Sequence, residues 1–187
     1  MKNLTNLIVE FLEYLQIERN VSPLTVRNYK HYLQRFDKWC QEAMASEVLP
    51  EKINEDIIRR YRVFLTRLSD NKGLTLMRAT QNYHLIALRA FLRYLAKRDI
   101  KTVFAEKIDL AKAESKSLKF LNSEQLRRLL NQPNISNELG LRDKAILELL
   151  FSTGLRVSEL TKLNRDQINF ESLEIGVVGK GHRMRVV

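Results

Sequence analysis

Apolar residues in the first hundred positions recur every three or four residues, which is the spacing of one face of an α-helix. This pattern predicts four helices. Ser22 and Pro23 are suited to the N-cap and first position of the second helix, and "NKG" at 71–73 ends the third. The fourth covers roughly 76–97, and the aromatic residues on the apolar faces of these four helices are expected in the core. The apolar face of the first helix comprises Leu4, Leu7, Ile8, Phe11, Leu12 and Leu15.

The pattern changes after Phe104. Residues 105–118 carry alternating charges and no large aromatic residue until Phe120, which favours a linker. A helix capped by Asn122 or Ser123 follows. The stretch 145–151 is apolar nearly all round, which predicts a buried helix that ends at Gly154. "LEIGVVGKGHRMRVV" then predicts two strands of a β-hairpin joined at 179–181.

The charge balance favours a polyanionic partner. The chain has 32 basic and 22 acidic residues, a net charge of +10. Residues 1–104 hold 18 basic against 11 acidic residues, so +7 of this charge lies in the helical half. Nucleic acid is the leading candidate partner. Arg27, Lys30, Arg78 and Arg89 are candidates for contacts with phosphate groups.

Other features of the sequence bear on its cellular compartment and on metal binding. No apolar run approaches the roughly 18 residues that a membrane span requires, and Glu10 and Glu13 interrupt the N-terminal apolar stretch, which argues against a signal peptide. Cys40 is the single cysteine, so a reducing cytoplasm is expected. The three histidines and this cysteine have no metal-ligand spacing.

"STGLRVSELTKL", residues 152–163, places a permanent charge in an apolar setting. On a helix that includes Arg156, the side chains of Arg156 and Glu159 share the apolar half, whereas Ser158 and Lys162 point away. A buried guanidinium needs an anion. Glu159 can supply one as a structural ion pair, or it can orient Arg156 towards a bound phosphate at a helix N-terminus.

Lys180 is the second candidate for chemistry. Gly179 and Gly181 on either side of it allow a tight hairpin tip and close approach of a ligand. A lysine there can donate to a phosphate or give a proton to a leaving oxygen. The alternative is an ordinary exposed lysine in a turn.

The combination of "TGLRVSEL" with the lysine of "GKGHRMRVV" 24 residues later resembles the tyrosine recombinases, or phage-type integrases, and within them the Xer-like branch. "VSPLTVRNYKHYLQRF" and "QNYHLIALRAFLRYL" are similar to their helical core-binding domain, and "FLNSEQLRRLL" is similar to the start of their catalytic domain. The resemblance implies a mainly α, multidomain fold. It would comprise an all-α, SAM-like core-binding bundle at 1–104, a linker at 105–118, and the first part of an α+β catalytic domain at 119–187.

The resemblance also implies a reaction. In this family a tyrosine attacks a DNA phosphate, forms a 3′-phosphotyrosyl link and releases a 5′-hydroxyl, without a metal or other cofactor. By position, Arg156 resembles the first catalytic arginine, Lys180 the general acid and Glu159 the acidic residue that supports the arginine. Arg183 stands where the family often has lysine and is a further candidate for DNA contact. The implied partners are double-stranded DNA and a homo- or hetero-tetramer on that DNA.

One departure from the family pattern is large. The six tyrosines are residues 14, 29, 32, 61, 83 and 94, all before Arg156, whereas the family's nucleophile comes late in the catalytic domain after a His-x-x-Arg motif. We expect that these 187 residues are part of a longer recombinase and that they bind DNA without cleaving it. The alternative is a naturally short, non-catalytic DNA-binding protein derived from the same fold.

Overall fold

The computed structural model describes residues 3–44, 48–69, 73–112, 119–179 and 183–187. The chain divides into two compact units, residues 1–116 and 117–187. Within the described residues the first unit is helical, and the second combines helices with a small antiparallel sheet. The mainly α fold predicted from the sequence is confirmed. No described helix has the length and apolar character needed to cross a membrane.

In the described residues of the first unit there are four α-helices: α1 Leu4–Ile17, α2 Pro23–Met44, α3 Glu55–Arg67 and α4 Arg78–Lys97. Asn3 caps α1, because its side-chain oxygen accepts the backbone N–H of Asn6 at 2.9 Å. Pro23 begins α2 as predicted, and the Ser22 carbonyl accepts the backbone N–H of Thr25 at 2.9 Å. All six apolar positions predicted for the inner face of α1 are buried.

Aromatic residues from all four helices fill the core of the first unit. Phe11 of α1 packs against Phe91 and Tyr94 of α4, with ring centroids 5.5 and 5.2 Å apart. Phe36 of α2 packs edge-on against Tyr61 of α3 at 4.8 Å. These rings were expected in the core, and the packing joins all four helices into one unit.

The segment predicted as a linker, 105–118, begins inside the first unit. A 3₁₀ turn at Ala105–Lys107 is followed by Ile108, and both Ala105 and Ile108 are buried in the core. Asn82 of α4 then holds the backbone of Ala111 through two hydrogen bonds, one to its carbonyl and one from its N–H. Residues 105–111 therefore pack with the helical unit, because the side chains of Ala105 and Ile108 are buried in its core.

The part of the second unit that the structure describes contains three α-helices and three strands: α5 Ser123–Leu130, α6 Glu138–Thr153, α7 Val157–Leu160, β1 Ile168–Asn169, β2 Glu174–Val178 and β3 Met184–Val186. Asn122 and Gln125 form a reciprocal capping box at the start of α5. The sheet order is β1-β2-β3, with both pairs antiparallel. The predicted hairpin is β2 and β3, and the two-residue strand β1 was not predicted.

The prediction of a buried helix at 145–151 is wrong for this chain. Gly140 is the only buried residue of α6, and Phe151 is 58 % exposed. Leu149 and Leu150 pack against a small core of Leu155, Ile175 and Val177. An apolar helix is buried only where elements cover every side of it, and the described part of the second unit covers one side.

Candidate active site

The turn between α6 and α7 positions Arg156. Gly154 ends α6 in the left-handed conformation, with φ 62°, and its N–H donates to the Leu150 carbonyl at 3.0 Å. Leu155 then enters the core of the second unit, where it is 6 % exposed. Arg156 follows as the N-cap of α7, in an extended conformation with φ −74° and ψ 150°. The buried leucine therefore holds the backbone from which the arginine extends.

The carboxylate of Glu159 is the centre of an ion cluster that comprises Arg156, Glu159 and Arg185. Oε2 accepts the backbone N–H of Arg156 at 2.9 Å, and Oε1 accepts Nη1 of the same residue at 2.9 Å. Arg185 donates from Nη1 to Oε1 at 3.0 Å and from Nη2 to Oε2 at 2.8 Å. Each carboxylate oxygen thus accepts two hydrogen bonds, which satisfies a charge that is largely removed from water.

The sequence prediction that both side chains lie on the buried side is right for Glu159 and wrong for Arg156. The side chain of Arg156 is 64 % exposed, whereas that of Glu159 is 7 % exposed. The helix α7 has only four residues and Arg156 caps it from outside, so helical spacing does not describe the direction of its side chain. Ser158 and Lys162 are exposed, which agrees with the prediction that they point away from the apolar half, and both line the cleft beside Arg156.

Sequence reasoning missed Arg185. Its strand partner is Val177, which is 3 % exposed, and residues directly opposite in an antiparallel pair lie on the same face of the sheet. Arg185 therefore extends from the inner face of β3 towards α7. The available signal was the strand alternation, which separates Arg185 from its neighbours Met184 and Val186, both exposed.

The ion cluster changes the titration of its members. Hydrogen bonds from the Arg185 side chain and from the Arg156 backbone lower the pKa of Glu159 from 4.5 to about 2. The same contact raises the pKa of Arg185. At neutral pH the cluster therefore contains one negative and two positive charges.

We expect the ion cluster to persist in acid to well below pH 4. Because the pKa of Glu159 is lower in the folded protein, the stability it contributes is complete above pH 4.5 and is lost as the pH falls towards about 2. The carboxyl ¹³C shift of Glu159 during an acid titration measures this directly. Arg185→Gln should raise the midpoint, and a wild-type midpoint near 4.5 would contradict the hydrogen-bonded geometry.

A cleft of about 420 Å³ opens beside the ion cluster. The short helix α7 and strand β2 form its walls, and both basic and apolar side chains line it. Arg156 and Lys162 supply two cations, and Ser158 and Gln167 supply neutral polar groups. This combination suits an anion that is held by charge on one side and packed against the sheet on the other.

The remaining predicted residues divide between the two units. Lys180 lies outside the described residues. Arg183 is exposed, and its carbonyl accepts the Gly179 N–H at 2.8 Å, which continues the pairing of the hairpin. In the first unit Arg27, Lys30 and Arg78 are exposed, whereas Arg89 is half-buried. Arg27 and Lys30 lie one turn apart on α2, and Arg78 and Arg89 lie three turns apart on one side of α4.

Comparison with known proteins assigns a family to both units. Residues 8–99 match the model described as "Phage integrase, N-terminal SAM-like domain", and residues 119–187 match "Phage integrase family". The chain belongs to the phage integrase family of tyrosine recombinases. The resemblance inferred from "TGLRVSEL" and "GKGHRMRVV" is confirmed.

Curated relatives of the family cover the whole chain. Tyrosine recombinase XerC of Bacillus subtilis (strain 168) is 33 % identical over 188 residues, which are 100 % of this chain and 59 % of that protein. XerC of Syntrophus aciditrophicus (strain SB) is 35 % identical over 184 residues, which are 97 % of this chain and 58 % of that protein. The chain thus spans less than two thirds of the length of these relatives.

Solved structures agree on the fold. The Tn1549 transposon integrase, in complex with a circular intermediate DNA, superposes with a TM-score of 0.68 at 15 % identity, over 100 % of this chain and 57 % of that chain. The same integrase with transposon right end DNA gives 0.67 at 17 % identity. At this identity the similarity establishes the architecture alone.

Proposed function

We propose that this chain supplies the DNA-binding unit and part of the phosphate-binding site of a tyrosine-type site-specific DNA recombinase. The observation that supports the proposal is the ion cluster. Arg185 and the Arg156 backbone satisfy most of the Glu159 carboxylate, and the exposed guanidinium of Arg156 borders an open cleft. A guanidinium in this setting can donate two parallel hydrogen bonds to one phosphate.

The chemistry of the family requires positive charge at such a position. After the tyrosine hydroxyl has lost its proton, its oxygen attacks the DNA phosphorus and forms a new P–O bond, while the bond to the 5′ oxygen breaks and that oxygen takes a proton. Negative charge increases on the non-bridging oxygens in the transition state, and preorganised donors lower its energy. In this proposal Arg156 is such a donor, and Lys180 gives the proton to the leaving oxygen.

The nucleophile is not among the tyrosines of this chain. All six precede Arg156 in the sequence and belong to the helical unit. We infer that the 187 residues bind DNA and do not cleave it, and that cleavage belongs to the protein encoded by the whole reading frame. If that protein also binds DNA without forming a covalent adduct, the alternative of a non-catalytic DNA-binding protein is correct.

Binding of duplex DNA is the partner interaction that we propose for the first unit. The chain has a net charge of +10, and Arg27, Lys30 and Arg78 are exposed. The solved Tn1549 integrase structures contain DNA, which supports the same class of partner here. Assembly of the whole protein as a homo- or hetero-tetramer on DNA is part of this proposal.

We predict that the 187-residue chain binds linear duplex DNA with a steep dependence on salt. Each phosphate neutralised contributes about −0.9 to the slope of log K against log [salt], so four contacts lower affinity about a hundredfold between 50 and 200 mM salt. The double variant Arg27→Ala/Lys30→Ala should reduce the slope by about 1.8. Fluorescence anisotropy of labelled DNA measures both quantities.

Arg59→Ala is the matched control for this experiment. Arg59 is an exposed arginine on α3, and its Nη2 donates to Asp56 Oδ1 at 2.9 Å. Its charge is already paired within the protein, so its removal should leave the slope unchanged. Affinity that is constant between low and moderate salt would contradict DNA binding by phosphate contacts.

A further inference from the structure

Arg185 uses both of its terminal nitrogens on Glu159. The two bonds, 2.8 and 3.0 Å long, approach different oxygens of the carboxylate, which is the bidentate geometry that only arginine provides. The side chain of Arg185 is 36 % exposed, compared with 64 % for Arg156. The guanidinium of Arg185 is therefore committed to the carboxylate, whereas Arg156 is the more accessible cation.

The number of charges in the ion cluster determines what Arg156 can offer a ligand. Without Arg185, the carboxylate of Glu159 and the guanidinium of Arg156 would form a neutral pair, and the carboxylate would attract both terminal nitrogens of Arg156. With Arg185 present, the cluster keeps a net charge of +1. From its side chain Arg156 gives only Nη1 to Glu159, and within the described residues its Nε and Nη2 have no hydrogen-bond partner.

Gly179 provides the space in which this arrangement fits. A Cβ atom added at Gly179 would lie 3.0 Å from Nη1 of Arg185 and 3.5 Å from Oε1 of Glu159. The backbone at the end of β2 thus borders the contact between Arg185 and Glu159 with no side chain between them. A side chain at this position would crowd the contact between Arg185 and Glu159.

We propose that Arg185 is a positioning residue that acts through Glu159 to keep the guanidinium of Arg156 available to a DNA phosphate. Arg185 holds both carboxylate oxygens, so Glu159 fixes the Nη1 edge of Arg156 without neutralising it. The proposal rests on the proposed function, since it assigns Arg156 to phosphate binding. Arg156 and Arg185 carry the same charge but have different roles in this proposal.

A double-mutant cycle on the 187-residue chain tests this inference. The affinity for linear duplex DNA is measured for wild type, Arg156→Ala, Arg185→Gln and the variant carrying both changes. A hydrogen bond to a charged group is strong enough that each single change should weaken binding about tenfold. If Arg185 acts through Arg156, the double variant binds within about twofold of Arg156→Ala alone.

A different result is expected if Arg185 acts independently of Arg156. If Arg185 contacts phosphate directly, the two losses multiply to about a hundredfold in the double variant, which would overturn the inference. Arg185→Lys keeps the charge but cannot hold both oxygens, so we expect it to weaken binding as well. Full affinity in Arg185→Lys would show that the charge, rather than the bidentate contact, is what matters, and would also overturn it.

Arg165→Gln is the matched control for the cycle. Arg165 is exposed in the same unit and begins the 3₁₀ turn Arg165–Gln167, so any small loss it causes should multiply with that of Arg156→Ala. Thermal unfolding of each variant confirms that the second unit is folded. Weak, salt-independent binding by the wild-type chain would reject the proposed function, whereas strong wild-type binding with multiplying losses would reject only the role of Arg185.

Discussion

Arg156→Ala in the protein encoded by the whole reading frame will lower the rate of covalent DNA–protein adduct formation by a factor of about 10² to 10³. This is the usual cost of removing one preorganised donor to a transition-state oxyanion. The expectation follows from the position of Arg156, which is 64 % exposed at the border of the cleft and is attached to the buried Glu159 carboxylate by two bonds. The adduct is measured as DNA that remains attached to protein in SDS.

The fold should survive this substitution, because Arg156 is an N-cap whose exposed side chain packs little apolar surface. Arg165→Ala, an exposed change in the same unit, is the control for loss of positive charge. Arg156→Ala protein that forms adduct at the wild-type rate would remove Arg156 from the reaction. Absence of adduct with the wild-type protein would instead support the non-catalytic alternative.

Phe11→Ala will reduce the free energy of unfolding of the first unit by about 3 to 5 kcal/mol. Phe11 is 1 % exposed, and its ring lies within 6.5 Å of four other aromatic rings, those of Tyr14, Tyr29, Phe91 and Tyr94. Removal of the ring loses its transfer free energy and leaves a cavity between α1, α2 and α4. Since whole domains are stable by only about 5 to 15 kcal/mol, this change threatens the fold of the unit.

Urea denaturation followed by tryptophan fluorescence measures this loss. Trp39 is the single tryptophan of the chain and packs against Tyr61 in the first unit, so the signal reports that unit alone. Val9→Ala on the same helix is the control, because Val9 is 50 % exposed and should cost little. A loss below about 1 kcal/mol for Phe11→Ala would contradict the packing described for this core.

The helical unit was predictable because its local signals agree with each other. The periodicity of α1 and the Ser22–Pro23 start of α2 each follow from residues close together in the sequence. The same holds for the hairpin of the second unit, whose strands β2 and β3 were predicted from their own residues. Family membership was predictable for a similar reason, since "TGLRVSEL" and "GKGHRMRVV" are short and specific. The two-residue strand β1 has too few positions to show an alternation.

The errors arise where geometry depends on distant residues. The exposure of Arg156 follows from the shortness of α7, which no periodicity reveals. Arg185 meets Glu159 across 26 positions, and only the strand register determines which face of β3 it occupies. The exposure of α6 depends on how much chain surrounds it, which its own sequence does not specify.

The contact between Arg185 and Glu159 also has a consequence for the order of folding. Local contacts form early, whereas contacts between distant parts of the chain must first overcome the entropy of loop closure. The register of β2 and β3 has to be established before Arg185 can reach α7. A newly made chain can therefore complete its helical unit before Arg185 joins the ion cluster, so under our proposal the phosphate-binding property is acquired late in folding.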